Sequence, residues 1–135
     1  MNISYAQAQA VVAAAVAKAE EIGHPMNISV VDSGGHLVAF ARMDGSIFAS
    51  IDISCRKAYT SAAMKMDTRD IGPLTQPGQP LYGLEQTSGG MVTFGGGIVL
   101  RNKDGQPVGA IGVSAGSVEQ DHEVAAAGAA AFAPG

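Results

Sequence analysis

A small set of residues in this chain carries side chains able to do chemistry. Lys57 falls in a stretch of helical spacing, beside Arg56 and three residues before Thr60. A lysine there receives a carboxylate or, when buried, serves as a base; on an exposed face it is a solvated cation, the commoner case. Arg42 precedes Met43-Asp44-Gly45. It either pairs with Asp44 or clamps a ligand carboxylate through two parallel hydrogen bonds. Glu119, Asp121, His122 and Glu123 cluster where a helix is expected to begin. The helix dipole alone favours acids there, which suffices for Glu119 and Glu123. Asp121 and His122 are adjacent, so they point about 100° apart and do not easily share a metal. His122 has no second histidine four residues on, and Cys55 is the single cysteine. Neither a helical zinc pair nor a cysteine zinc site is predicted, and no metal site is expected. His24 follows a helix end and His36 follows a turn. Each is either a haem-iron ligand or, by default, an exposed turn histidine.

Three consecutive glycines, Gly95, Gly96 and Gly97, follow Phe94 between two apolar runs. No Lys-Ser/Thr follows them and the next element reads as a strand, so they form neither a phosphate loop nor a dinucleotide fingerprint. They mark either a bulge between short strands or a backbone floor that a flat ligand can approach closely. Gly112-Val113-Ser114-Ala115-Gly116 matches the letters of a nucleophile elbow. That motif needs a parallel strand leading into a helix within a larger fold, so the match is read as chance.

These residues need elements to position them. Ser4 and Gln7 fit a capping box ahead of Ala8, Val12, Ala15, Val16, Ala19 and Ile22 at helical spacing, with Gly23 as terminator. Residues 27–32 and 36–42 read as two strands around Ser33-Gly34-Gly35. A second helix starts between Ser46 and Ser50 and runs to about Met66, with Ile47, Ile51, Cys55, Ala58 and Ala62 as its apolar stripe. Asp67 is expected to cap a short helix through Asp70. Pro73, Pro77 and Pro80 then break regular structure, and a long loop holds one helical turn near residues 81–85. Residues 91–94 and 98–102 read as strands, Lys103-Asp104-Gly105 as a tight turn and 108–114 as the returning strand. Ser117 and Gln120 cap a last helix to about Phe132. Short hairpins imply an α+β fold with an antiparallel sheet of about five strands and flanking helices.

Composition narrows the function. The 135 residues form one expected domain, 47% hydrophobic and only 15% charged. The net charge of -4 and the absence of a basic cluster argue against nucleic acid as a partner. The Ala-rich stretch of residues 8–19 is too short and too polar to span a bilayer, so no membrane partner is expected. No signal-peptide pattern opens the chain, and a cytoplasmic location is expected by default.

Several of these segments together resemble the GlcG/HbpS family, which also includes the C-terminal domain of PduO-type cobalamin adenosyltransferases. Val31-Asp32-Ser33-Gly34-Gly35-His36-Leu37-Val38-Ala39-Phe40-Ala41-Arg42-Met43-Asp44-Gly45 is similar to its first signature and Lys57-Ala58-Tyr59-Thr60 to its second. Phe94-Gly95-Gly96-Gly97, then Val108-Gly109-Ala110-Ile111-Gly112-Val113-Ser114 followed by Glu119-Gln120-Asp121, resemble the third and fourth. Ala115 stands where the fourth signature usually has glycine. The resemblance implies a profilin-like α/β/α sandwich that assembles into oligomers. It implies relatives that bind haem, others linked to corrinoid or glycolate metabolism, and some similar small proteins that are hydroxylaminobenzoate lyases. No histidine here matches a shared haem ligand.

The expected function is therefore binding of a small planar or carboxylate-bearing ligand, with haem or a related tetrapyrrole as the possible cofactor. Phe94 and Gly95 to Gly97 would admit its flat face, Arg42 and Lys57 would meet its carboxylates, and Asp121 or Glu119 would stand nearby. The alternative is a small enzyme on an aromatic or small organic acid, with Lys57, Asp121 and Glu119 as catalytic groups. A purely structural oligomer without a ligand is the third reading. Scarce charge and Ala/Gly-rich surfaces predict a homo-oligomer, at least a dimer. Light scattering at micromolar concentration is expected to give a multiple of the chain mass; the monomer mass would contradict it.

Overall fold

Ser4 and Gln7 form their capping box, each side chain accepting from the other's backbone N–H. They start α1 (Tyr5–Ile22), which ends where Gly23 turns left-handed. The computed structural model describes residues 2–132. Next come β1 (Asn27–Asp32), β2 (Leu37–Arg42), α2 (Ala49–Met64) and a short α3 (Thr68–Ile71). Two 3-10 turns, Gly72–Leu74 and Leu84–Gln86, punctuate the proline-bearing loop. β3 (Gly97–Arg101), β4 (Pro107–Ser114) and α4 (Val118–Ala130) follow, and Ser117 and Gln120 form the second capping box.

The sheet is antiparallel with strand order β2-β1-β4-β3. Alternation along each strand separates two faces. Ile28, Val30, Ile98, Leu100, Ile111 and Val113 pack with Ala8, Val11 and Ala15 of α1 and with Val124 and Ala125 of α4. Val31 and Ala110 point the other way, against Ala58 and Ala62 of α2. Helices thus cover both faces of an α+β domain.

Three expectations need correction. The sheet has four strands rather than about five. Residues 91–94 are not a strand, although Met91 and Val92 are buried. Their backbone donors go elsewhere: the Met91 N–H to the Glu85 carbonyl and the Val92 N–H to the Thr60 hydroxyl. The buried stripe of α2 keeps Ala58 and Ala62 but not Ile47, Ile51 and Cys55. Ile47 is 60% exposed, and the sheet side carries Ser50, Ser54, Lys57, Ala58, Ser61 and Ala62. The reason is proximity. A Cβ on Gly112 would collide with the Ser54 carbonyl and the Ala58 nitrogen, so only small side chains fit between helix and sheet. Two of the hydroxyls are satisfied in pairs, Ser54 with Ser29 at 2.9 Å and Ser50 with Ser114 at 3.0 Å, while the buried Ser61 hydroxyl has no partner. Finally, Asp67 makes no side-chain cap on α3; its carboxylate accepts from the Val99 N–H at 3.0 Å and ties α3 to β3.

Ala115, where a glycine was expected, has φ 131°, a conformation that L side chains rarely adopt. Ala115→Gly should therefore raise stability by about 1 kcal/mol, strain relief outweighing the added chain entropy. A higher urea midpoint would bear this out; a lower one would show that the alanine is unstrained.

Candidate functional site

Lys57 projects from α2 into the protein rather than into solvent. Its Nζ donates to the Val113 carbonyl at 2.9 Å and to Asp121 Oδ2 at 2.8 Å. The two side chains are 0% and 3% exposed. Asp121 lies in the first turn of α4, where the helix dipole favours its charge. Its other oxygen accepts from the Gly116 N–H at 2.9 Å. The Phe94 ring covers the ammonium, its centroid 5.0 Å from Nζ. Burial pulls the Lys57 pKa below the ordinary lysine range, against the opposing pull of Asp121. Burial likewise pushes the Asp121 carboxyl up, against the Lys57 charge and the Gly116 donor. Each charge is sustained by the other, as expected for a pair taken out of water.

The glycines divide their work. Gly96 has φ 132°, and a Cβ there would strike the Val113 carbonyl and sit 2.7 Å from Lys57 Nζ. A Cβ on Gly97 would lie 2.6 Å from the Lys57 carbonyl and 2.7 Å from the Ser61 hydroxyl. At both positions the space goes to the protein's own atoms. Gly95 alone of the three faces an open cleft of about 270 Å³, lined also by Arg69, Val118, Glu119 and His122. A Cβ on Gly95 would come 3.2 Å from the Val118 carbonyl, 3.5 Å from Arg69 Cβ and 3.8 Å from His122 Cβ, so a side chain would narrow it.

The fold thus joins Lys57, Asp121, Phe94 and Gly96 in one cluster and sets Gly95 and Glu119 in the adjoining cleft. Arg42 is not brought there. It is exposed on edge strand β2 and lines a different depression with Val16, Glu20 and Asp44. The Ser114 hydroxyl is spent on Ser50, which agrees with a chance match to the nucleophile elbow. Arg69 and His122 were missed as cleft residues. For His122 a signal existed, since it lies three residues after Glu119 and shares its helix face. For Arg69 no local signal exists, because only the tertiary fold carries α3 to α4. Burial and the Arg69 charge pull the His122 pKa below its usual value, favouring the neutral imidazole.

Lys57→Met should destabilise the fold by about 3–5 kcal/mol, because it strands a buried carboxylate. The unpaired Asp121 would then take up a proton in the folded state, with its pKa raised above the unfolded value. The deficit should therefore be largest near pH 7 and shrink toward pH 4. Adding Asp121→Asn should recover part of it. Urea denaturation at both pH values checks this; a loss below 1 kcal/mol at pH 7 would show that the pair carries little.

A protein-family model described as "Haem degrading protein HbpS-like" matches residues 3–130. A 15.0 kDa protein from the dhaT–dhaS intergenic region of Citrobacter freundii is 44% identical over 126 residues, covering 92% of this chain and 87% of that protein. The corrinoid adenosyltransferase PduO of Citrobacter freundii is 40% identical over 133 residues, or 98% of this chain. This chain spans only 39% of that enzyme's length. Among solved structures, PduOC in complex with haem superposes with a TM-score of 0.93 at 38% identity, covering 100% of this chain and 98% of that one. The signatures that built the clamp and the cleft lie inside the matched region, and the chain belongs to the HbpS-like family.

Proposed function

We propose that this chain is a small-ligand-binding protein whose ligand is haem or a related tetrapyrrole. The observation that carries this reading is the full-length likeness to PduOC, which was solved in complex with haem. The cleft supports it chemically. Haem calls for a donor atom toward iron, a cation for a propionate and apolar contact for the ring. Among the described residues the Arg69 side chain makes no ion pair and no hydrogen bond, and the His122 side chain makes no hydrogen bond. Gly95 and Val118 give the apolar wall. This set suits a propionate and one ring edge rather than a whole tetrapyrrole.

The cleft volume of about 270 Å³ sits just below the range of roughly 300–1,000 Å³ usual for small-molecule pockets. It would house part of a tetrapyrrole, leaving the remainder to solvent or to a second copy of the chain. Bound haem would supply the iron chemistry. The residues of this chain would hold and orient it, Arg69 at a propionate and Glu119 at the rim. Lys57 and Asp121 would act one layer behind, fixing Gly96 and the start of α4.

Titration of ferric haem into the purified protein should give a saturable Soret band. Arg69→Ala should weaken binding by up to about fivefold, the scale of an exposed ion pair. A spectrum equal to that of free haem at every ratio would overturn the reading.

A further inference from the structure

Three buried polar side-chain atoms lack a hydrogen-bond partner among the described residues: Asn27 Oδ1, Ser61 Oγ and His122 Nδ1. Asn27 and Ser61 are wholly buried side chains. His122 is different, because its residue lines the cleft and its ring has a second nitrogen. Nδ1 faces into the protein. Nε2 is not enclosed and makes no hydrogen bond, so it is the nitrogen that the ring presents to the cleft.

The enclosed nitrogen decides which of the two carries the proton. A neutral imidazole has one N–H and one bare lone pair. Buried N–H groups without an acceptor are rarer in proteins than buried acceptors without a donor. The bare lone pair therefore belongs at Nδ1 and the proton at Nε2, where the ring donates outward. Burial and the Arg69 charge favour this neutral ring.

The facing wall supplies a second donor. A Cβ on Gly95 would lie 3.5 Å from Arg69 Cβ and 3.8 Å from His122 Cβ, so the two residues flank one space. The exposed Arg69 guanidinium has no partner of its own among the described residues. A guanidinium and an imidazole N–H on one space suit a group that only accepts, and a carboxylate has two such oxygens. Gly95 and Val118 give contact for a short apolar stem. Arg69, Asp67 and Asp70 are the charges that act on the imidazole, and Glu119 is not among them. Glu119 and Asp70 thus surround the donors with negative charge, which disfavours a second carboxylate. A cleft of about 270 Å³ holds one carboxylate and its stem.

We propose that the cleft is a carboxylate site, in which Arg69 and the Nε2–H of His122 each donate to a single carboxylate carried on a short apolar stem. Two sources share this chemistry: a propionate of a haem whose macrocycle lies outside the cleft, and a free monocarboxylate. The propionate source rests on the haem reading above and adds to it the groups that hold the propionate.

Nitrogen NMR of the ligand-free protein should show His122 as the Nε2–H tautomer; the Nδ1–H tautomer would overturn the assignment. Sodium propionate should shift the His122 resonances saturably. Arg69→Ala should weaken that binding about fivefold, and Arg42→Ala, in a different depression, should leave it unchanged. Haem and its dimethyl ester, which has no free carboxylate, then separate the two sources. If a haem propionate is the occupant, the wild type should bind haem about fivefold more tightly than the ester. Arg69→Ala and His122→Phe should bring that ratio toward one, while His122→Gln, which keeps an N–H donor, should retain part of it. Circular dichroism reports the fold of each variant, and the exposed Arg69 gives a readout even where a His122 variant does not fold. Equal binding of haem and ester with a saturable propionate shift would assign the site to free monocarboxylates. Equal binding with no propionate shift would overturn the carboxylate site and leave the haem reading standing. A propionate shift in a protein with no haem spectrum would uphold the site and overturn the haem reading, and absence of both would overturn both.

Discussion

The buried ion pair between Lys57 and Asp121 is the constraint from which the rest of the site follows. Three elements meet at it. Lys57 comes from α2, Val113 from β4, and Asp121 from the first turn of α4. The glycine segment is locked to the same point, since the Gly96 carbonyl accepts from the Val113 N–H at 2.9 Å. A pair of charges out of water tolerates little displacement, because each loses its counter-charge before water can replace it. Gly95 and Gly96 are consecutive, as are Asp121 and His122. Fixing Gly96 and Asp121 therefore places one floor residue and one imidazole of the cleft.

The lysine reaches this point because α2 lies unusually close to the sheet. Glycine at 112 and 97 removes the side chains that would hold the helix away. The seam is then too thin for Leu or Ile, and serines fill it. Ser29, Ser50, Ser54 and Ser114 satisfy one another across it, giving a polar layer on one face of the sheet. The other face is an ordinary aliphatic core against α1 and α4. Apolar burial on that side holds the domain together, and the polar side is free to position charge.

Local signals were legible in the sequence. Both capping boxes, the Gly23 terminator and the β3–β4 turn depend on residues a few positions apart, and all form. The failures share one cause, which is tertiary. Ile47 and Ile51 read as the inward face of α2, but the glycines of the sheet select the serines instead. Met91 and Val92 read as a strand because they are apolar; they are buried, yet their N–H groups bond to Glu85 and Thr60 rather than to a neighbouring strand. Lys57 and Asp121 are 64 residues apart, and no local pattern joins them. They drew attention as chemically able residues within familiar signatures, and the fold shows that they face each other. Arg69 carried no signal at all.

The central claim is that this pair locks α2, the glycine segment and the start of α4 into one unit. Native-state amide hydrogen exchange tests it most directly, with the Gly116 and Val113 N–H groups as reporters. The Gly116 donor is held by Asp121 at 2.9 Å and the Val113 donor by Gly96 at 2.9 Å. Both amides should exchange only by an opening close in free energy to global unfolding, although Gly116 lies in a turn where rapid local exchange is usual. Fast exchange of the two, by a local opening that leaves the α1–α4 core protected, would show that the clamp is loose and contradict the account.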